Sequence, residues 1–399
     1  MGGHSVTRAM RLAMVVPRYG VETGGGAEGL AHWYVHRLAR RHEVTVLTTC
    51  ATDHRTWADD HPPGASRDGA VHVRRFRVPK PRVPERFDRW YRAAAAGRLG
   101  LPGLVRWMHE QGPNAPDLLD HLDREGSGYD AVLFVPYLYA TTWDGLPLVA
   151  DRSLLVPALH DEPPASFPIM DRTFHLARGL AFSTPEERDF CRTRFGPLRA
   201  RTRLVGVGVD PRPPAPGRPA TRDPYVLYLG RVDPSKGCLD LLRKHRMAML
   251  DHPEVPRLVL AGHIAMPLPE GRWLEARSFV SEGEKHDLLA GAAVVVLPSP
   301  YESLSMAVLE AWAHSRPVLV SARSPVLVGQ VRRAAGGLWY DDDAEYTEGL
   351  LRLVGDPTLA AELGSQGRRY TLGRFRPEAV NARLESLIGE IAAPRRAAA

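Results

Sequence analysis

Two carboxylates, Glu302 and Glu310, stand eight positions apart in PSPYESLSMAVLEAWAHSRPVLV, residues 298–320. The apolar run 293–297 reads as a strand. Pro298 and Pro300 end it, and Leu304, Val308, Leu309 and Trp312 then recur at helical spacing. Glu302 therefore falls in a strand-to-helix loop. A helix starting near Leu304 would point the unpaired N–H groups of Leu304, Ser305 and Met306 at an anion, aided by the helix dipole. Glu310 would then lie about two turns in, roughly 12 Å along the axis from Glu302 at ~1.5 Å per residue. That is too far for a shared proton. It suits two contacts along one extended ligand, such as a sugar at one end and a ribose at the other.

A second constellation lies in LGRVDPSKG, residues 229–237, where Arg231 directly follows a strand and Lys236 enters a helix. A guanidinium grips a diphosphate bidentately, and an ammonium adds a mobile point charge. His160 ends the apolar run 154–159 in PALHDEPP, which aims it from the carboxyl edge of a sheet; Asp161 beside it is placed to orient the ring or to bind acceptor hydroxyls. A lone histidine among sixteen carries no assignment by itself. Residues 20–29, GVETGGGAEG, formally contain Gly24-x-Gly26-x-x-Gly29. The dinucleotide reading fails, because the glycines start well after the strand ends near Pro17. The next strand also ends in Thr49 and Cys50, with no acid to hold a ribose hydroxyl.

These residues need a frame, and the chain supplies one. Strand patterns at 12–16, 44–48, 71–77, 131–135, 154–159 and 204–207 alternate with helical ones. A proline-crowded stretch, PRPPAPGRP at 211–219, cannot continue a helix or a central strand and reads as a linker. A second series follows at 225–229, 258–261, 276–280, 293–297 and 318–320. The alternation predicts two α/β, Rossmann-like, doubly wound domains, residues 1–210 and 220–376, with ligands at the carboxyl ends of their strands in a shared cleft. Residues 377–399 are expected as a helix returning to the first domain, followed by a disordered tail.

The chain of 399 residues is 44% hydrophobic and 25% charged, a globular composition long enough for two cores. No apolar stretch reaches the ~18–20 residues that span a bilayer. The run 12–16 behind Arg8 and Arg11 is too short for a signal-peptide core. Cys50, Cys191 and Cys238 lack metal or redox spacing, which points to free thiols in a reducing, cytoplasmic compartment. The net charge of +6 favours anionic partners. Residues 74–106 hold ten Lys and Arg against Glu85 and Asp88, interleaved with aromatics, a stretch suited to peripheral contact with an anionic membrane. No recognition motif accompanies that charge, so nucleic acid is not expected.

The spacing of Glu302 and Glu310 between two strands resembles the Glu-x7-Glu signature of glycosyltransferase family 4, retaining enzymes of the GT-B fold. Arg231 and Lys236 resemble that family's Gly-Arg…Lys-Gly motif, and Gly25, Gly26 and Glu28 its Gly-Gly-x-Glu loop. Residues 183–187, STPEE, resemble its Ser/Thr-x-x-Glu helix entry, which is also a plain capping box. The resemblance covers residues 12–390 and is most specific over 229–320. It implies a donor such as a UDP- or GDP-sugar, no metal, and a hydroxyl of a glycan, lipid-linked or small-molecule acceptor. By the same resemblance, Glu302 and His160 meet the donor sugar, and Arg231, Lys236, Gly25, Gly26, Leu304 and Ser305 the diphosphate. Glu310 takes the ribose and backbone near Val280 the base. Where many relatives carry glycines around the first Glu, this chain has Ser303 and Ser305. A GT-B nucleotide-sugar epimerase would need a further acid/base set, which the sequence does not offer. A catalytically silent nucleotide-sugar-binding scaffold would be expected to lack members of this residue set.

Overall fold

In the N-terminal half, short apolar runs become strands buried on both faces, the pattern of parallel sheets covered by helices. The computed structural model describes residues 9–20, 25–210 and 224–392. Its contacts form two units, Met1–Val207 joined by Asn381–Ala399, and Gly208–Val380. The expected linker 211–219, the tail beyond 392 and positions 21–24 of the glycine loop lie outside the described residues.

The N-terminal unit holds β1 (Arg11–Val15), β2 (Glu43–Thr49), β3 (Gly64–Asp68), β4 (Val71–Phe76), β5 (Ala131–Phe134), β6 (Ser153–Leu155), β7 (Gly179–Phe182) and β8 (Arg201–Leu204). They form one sheet in the order β3-β4-β2-β1-β5-β6-β7-β8. Every pairing is parallel except the β3–β4 hairpin at the edge. Trp107, Phe134, Phe174 and Phe182 anchor the core on one face of this sheet.

The sequence pattern misplaces some boundaries here. β6 stops at Leu155 instead of continuing to 159, because Pro157 cannot donate to a ladder and Ala158 takes a left-handed φ of 51°. The last strand lies at Arg201–Leu204, ahead of the predicted 204–207. β3 and β7 were not predicted at all.

The C-terminal unit contains β9 (Tyr225–Leu229), β10 (Arg257–Ala261), β11 (Leu274–Arg277), β12 (Val294–Leu297), β13 (Val318–Ser321) and β14 (Gly337–Tyr340). The order is β11-β10-β9-β12-β13-β14, parallel throughout. The chain lays down β9, β10 and β11 in one direction and then crosses back to place β12 on the other side of β9. That reversal is a topological switch point, where crevices open at the carboxyl ends of such sheets. The predicted strand 276–280 is displaced to β11, so Val280 lies past its end.

The last helix, Pro377–Ala392, belongs to the N-terminal unit from Asn381 onward. Arg383 donates to the Val205 carbonyl at 2.9 Å, and Glu385 pairs with Arg41 at 2.9 Å. Both units are α/β with Rossmann-like parallel sheets, the GT-B architecture. Among the described residues, no helix is long and apolar enough to cross a membrane.

Candidate active site

The two loops leaving adjacent strands β9 and β12 carry the residues singled out by the sequence. Behind β9, Gly230 and Arg231 lead into a short 3-10 turn, Pro234–Lys236, capped by Asp233, whose side chain accepts the Ser235 N–H at 2.8 Å. Behind β12 come Pro298 to Ser305. Gly237, at φ 77°, locks the loops together: a Cβ there would stand 2.5 Å from the Pro298 carbonyl oxygen. Only glycine allows that approach together with that backbone conformation. The consequence is an ion pair across the loops, Lys236 Nζ to Glu302 Oε1 at 2.9 Å, with the lysine 33% and the glutamate 17% exposed.

Arg231 is fixed through its backbone, where its carbonyl accepts the Tyr228 hydroxyl at 2.7 Å. Its guanidinium pairs loosely with Asp233, Nε to Oδ2 at 4.0 Å, and the buried Nε makes no hydrogen bond among the described residues. Its charge is thus held at the crevice with hydrogen-bonding capacity to offer.

The helix behind Glu302 starts later than the sequence suggests. It runs Met306–Ala313, with Ser305 as N-cap accepting the Val308 N–H on its hydroxyl. Two corrections follow. The Ser305 N–H donates to Gln330 Oε1 at 3.1 Å, so it is not a spare anion donor. The first-turn N–H groups of Met306 and Ala307, with Leu304 in the half-buried loop before them, take that place. Glu310 is also one turn into the helix, not two, about 6 Å along the axis from Met306.

Glu310 meets Lys285 Nζ at 2.8 Å, and Lys285 also reaches Glu282 at 2.9 Å. Burial raises the Glu310 carboxyl above its ordinary range, an effect Lys285 opposes. Burial would lower Lys285, but its two carboxylate partners hold it above its ordinary value. Lys285 and Gln330 are absent from the sequence reading; no local spacing links them to residues 25 positions away. Val280 lies half-buried between β11 and the Ser281-capped helix Glu282–Gly291.

In the N-terminal unit the carboxyl edge is organised by internal bonds. Gly25 caps the helix Gly26–Leu38, and a Cβ on it would come 1.9 Å from Glu28 Oε2. The glycine therefore makes room for Glu28, whose carboxylate accepts from the Arg18 guanidinium with both side chains under 10% exposed. Gly26 faces open space, which leaves its backbone approachable.

His160 is not at a strand end but five residues beyond β6. Its Nδ1 lies 3.7 Å from Glu162 Oε1, so Glu162 stands where Asp161 was expected to orient the ring. Glu187 positions the residue before it: its two oxygens accept the Leu159 N–H at 2.8 Å and the Ser183 N–H at 2.6 Å. Thr184 caps this helix as the STPEE motif predicts, and the Glu187 side chain also bridges the two loops. Burial pushes its carboxyl up to about 8, against the pull of these N–H groups.

A cavity of about 630 Å³ opens at the same edge, lined by segments that follow β2, β4 and β5, among them Trp57, Arg82, Arg106, His109 and Thr141. Its walls include Lys80, Arg82, Arg86 and Arg106 of the basic stretch 74–106. Arg82 is locked by the Gln111 side-chain oxygen at 2.9 Å and the His54 carbonyl at 3.0 Å.

With the β9 and β12 loops in place, the likeness to known proteins becomes specific. Residues 223–356, the segment holding both loops, match the family of glycosyl transferases group 1. That segment is similar to a group 1 glycosyltransferase domain. D-inositol 3-phosphate glycosyltransferase of Streptomyces avermitilis is 28% identical over 219 residues, covering 48% of this chain and 47% of that protein. Glycogen synthase of Mycobacterium tuberculosis is 32% identical over 189 residues, 45% of each chain. The chain spans about half the length of the curated relatives it matches.

The fold likeness extends over more of the chain than the sequence likeness does. Sucrose-phosphate synthase from Thermosynechococcus elongatus superposes with a TM-score of 0.72 at 20% identity, over 96% of this chain and 99% of that one. The Anabaena protein HepE, solved with UDP-glucose, gives 0.65 at 16% identity, over 96% of this chain and 100% of that one.

Proposed function

We propose that the chain is a retaining family 4 glycosyltransferase that moves a sugar from a UDP- or GDP-sugar to a hydroxyl of a glycan, lipid-linked or small-molecule acceptor. One observation carries the reading. Two loops at the switch point of a parallel sheet bring a loosely paired Arg231, the Lys236–Glu302 pair and a helix N-terminus to one crevice, and Glu310 lies one turn into that helix. Such a crevice suits a nucleoside diphosphate with a polar group at each end.

In the proposed reaction a bond forms between the acceptor oxygen and the anomeric carbon, and the bond from that carbon to the β-phosphate oxygen breaks on the same face. The acceptor proton passes to the departing phosphate oxygen. Arg231, Lys236 and the N–H groups of Leu304, Met306 and Ala307 stabilise the negative charge as it develops, which is the preorganised electrostatics that dominates many such barriers. Cationic side chains and backbone donors supply this charge, so the reading is metal-independent. Glu302 holds sugar hydroxyls, and exchanges part of its bond with Lys236 for them. Glu310 holds the ribose hydroxyls, and backbone near Val280 the base. In the N-terminal unit, His160 serves the donor sugar and the open face of Gly26 a phosphate or acceptor oxygen.

The cavity along β2, β4 and β5 is the acceptor chamber in this reading, because the Trp57 ring with polar groups such as Asn114, Thr141 and Asp144 suits a carbohydrate. Peripheral contact with an anionic membrane through residues 74–106 would be carried mainly by charge, with Val83 and Leu101 as exposed apolar side chains beside it. Phe87, Trp90 and Tyr91 pack against the core, whereas Arg89, Arg92 and Arg98 are exposed.

The test is a thermal-shift panel of UDP, GDP, ADP and TDP with their common sugar conjugates. A ligand at about 100 times its dissociation constant adds roughly 2.7 kcal/mol of stability. A shift confined to one nucleotide family, followed by transfer from its sugar conjugate, supports the reading. Absence of any shift contradicts it, and a shift without turnover reduces it to a binding protein.

A further inference from the structure

We propose that the N-terminal unit binds a divalent transition-metal ion of the zinc type through His32, His36 and Asp68, away from the transfer chemistry. The two histidines are four residues apart on the helix Gly26–Leu38 and so share a face. Their rings lie 4.2 Å apart. Asp68, the last residue of edge strand β3, brings its Oδ2 to 2.9 Å from His36 Nε2 and 3.5 Å from His32 Nε2. The three ligand atoms all lie within 4.8 Å of one another. A tetrahedral zinc with bonds of ~2.0–2.1 Å holds its ligand atoms roughly 3.3 Å apart. The two nitrogen-to-oxygen distances already bracket that value, and a small rotation of the imidazoles completes it.

The surroundings match such a site. Two imidazoles and one carboxylate are a borderline donor set that suits zinc, and their side chains are 39%, 35% and 41% exposed, which gives an ion entry and leaves space for a water ligand. Among the described residues, the ion-pair partners of Asp68 are these histidines, with no lysine or arginine competing for it. The Tyr19 hydroxyl donates to the same carboxylate at 2.8 Å, the kind of outer bond that orients a ligating group. Tyr19 is itself tied to β4, where the Arg75 guanidinium donates to its carbonyl at 2.8 Å.

An ion here would pin the β3–β4 hairpin to the helix that starts at the glycine loop. His32 is about 9 Å along that helix from Gly26, so the ion is structural and takes no part in the proposed transfer.

The experiment is a calorimetric titration of zinc chloride into chelator-stripped full-length protein, with His36→Ala, Asp68→Asn and Tyr19→Phe variants alongside. The expected result is one ion per chain at micromolar concentrations or below. Tyr19→Phe should weaken binding roughly 10–100-fold, the usual cost of an outer partner, and each ligand variant should weaken it more. Cobalt added to the parent should show the visible bands of nitrogen-ligated Co²⁺, a readout that needs no variant to fold. Far-ultraviolet circular dichroism of the metal-free variants checks their folding. No zinc uptake by the parent at micromolar concentrations overturns the proposal, as does a cobalt spectrum without nitrogen ligation. Unchanged affinity in both His36→Ala and Asp68→Asn overturns it as well.

Discussion

The carboxyl edges of the two sheets treat their charges in opposite ways. Along the six-stranded sheet, Arg231, Lys236 and Glu302 stay partly exposed and are held by single or loose pairings. Along the eight-stranded sheet, Arg18 and Glu28 are almost fully buried against each other, and both oxygens of Glu187 are committed to backbone N–H groups. A lightly paired charge can exchange its protein partner for a ligand, whereas a buried and saturated one can only be broken at a cost. The first edge is therefore the proposed chemical surface, and the second is a scaffold that shapes a cavity and presents His160.

That contrast can be broken from either side. The largest effect is expected on the chemical edge: Arg231→Ala with Lys236→Ala should lower kcat by more than the ~10²–10³-fold that one electrostatic donor supplies, with an unchanged circular dichroism spectrum. Near-normal turnover in that double variant would remove the diphosphate assignment. On the scaffold edge, Glu187→Ala should act on stability first. It orphans the buried Leu159 and Ser183 N–H groups at about 1–3 kcal/mol each, read as a lower denaturation midpoint in urea.

Ionisation sharpens the same point. The Glu187 carboxyl titrates near 4.5 when unfolded and is raised to about 8 in the fold, so between those values the folded state binds the extra proton. Stability should be fully present below pH 4.5 and fall as pH rises toward 8, and Glu187→Gln should flatten that slope. A slope unchanged by the substitution would assign the pH dependence elsewhere. A smaller effect is expected for Glu310→Ala, which should weaken nucleotide binding by about 1.5–3 kcal/mol, the worth of a hydrogen bond to a charged group. Equal affinity by calorimetry would take Glu310 out of the ribose site. The weakest expected effect concerns the membrane. Reversing Arg89, Arg92 and Arg98 to Glu should abolish any binding to anionic vesicles, at about 1 kcal/mol per charge. Binding that survives both this change and high salt would require an apolar contact.

The chemical edge was the more legible because β9 and β12 are unbroken apolar runs ended by Gly230 and Pro298, so the loops carrying Arg231 and Glu302 could be placed to within a residue or two. The start of the next helix was not, since Leu304 fits the apolar spacing while the hydroxyl of Ser305 decides the cap. β3 escaped because GASRD is almost wholly exposed and pairs only at the sheet edge. β7 escaped because four buried residues, GLAF, are too few to show a period. β6 was overextended because Val156 and Leu159 are as buried as strand residues although their backbone is a loop. The partners of the site were invisible for another reason: Lys285 with Glu310 and Leu159 with Glu187 are joined only by tertiary packing. The spacing of His32 and His36 was readable as one helix face, but Asp68 reached them through the unpredicted β3.

The proposed function rests on binding of a nucleoside diphosphate by the β9 and β12 loops. The most direct test is calorimetric titration of the nucleoside diphosphate that gives the largest thermal shift into the parent and into Arg231→Ala. Saturable one-to-one binding is expected in the parent, weakened in the variant by about 1.5–3 kcal/mol, the worth of a charge-assisted hydrogen bond. Equal affinity in the two proteins would contradict it.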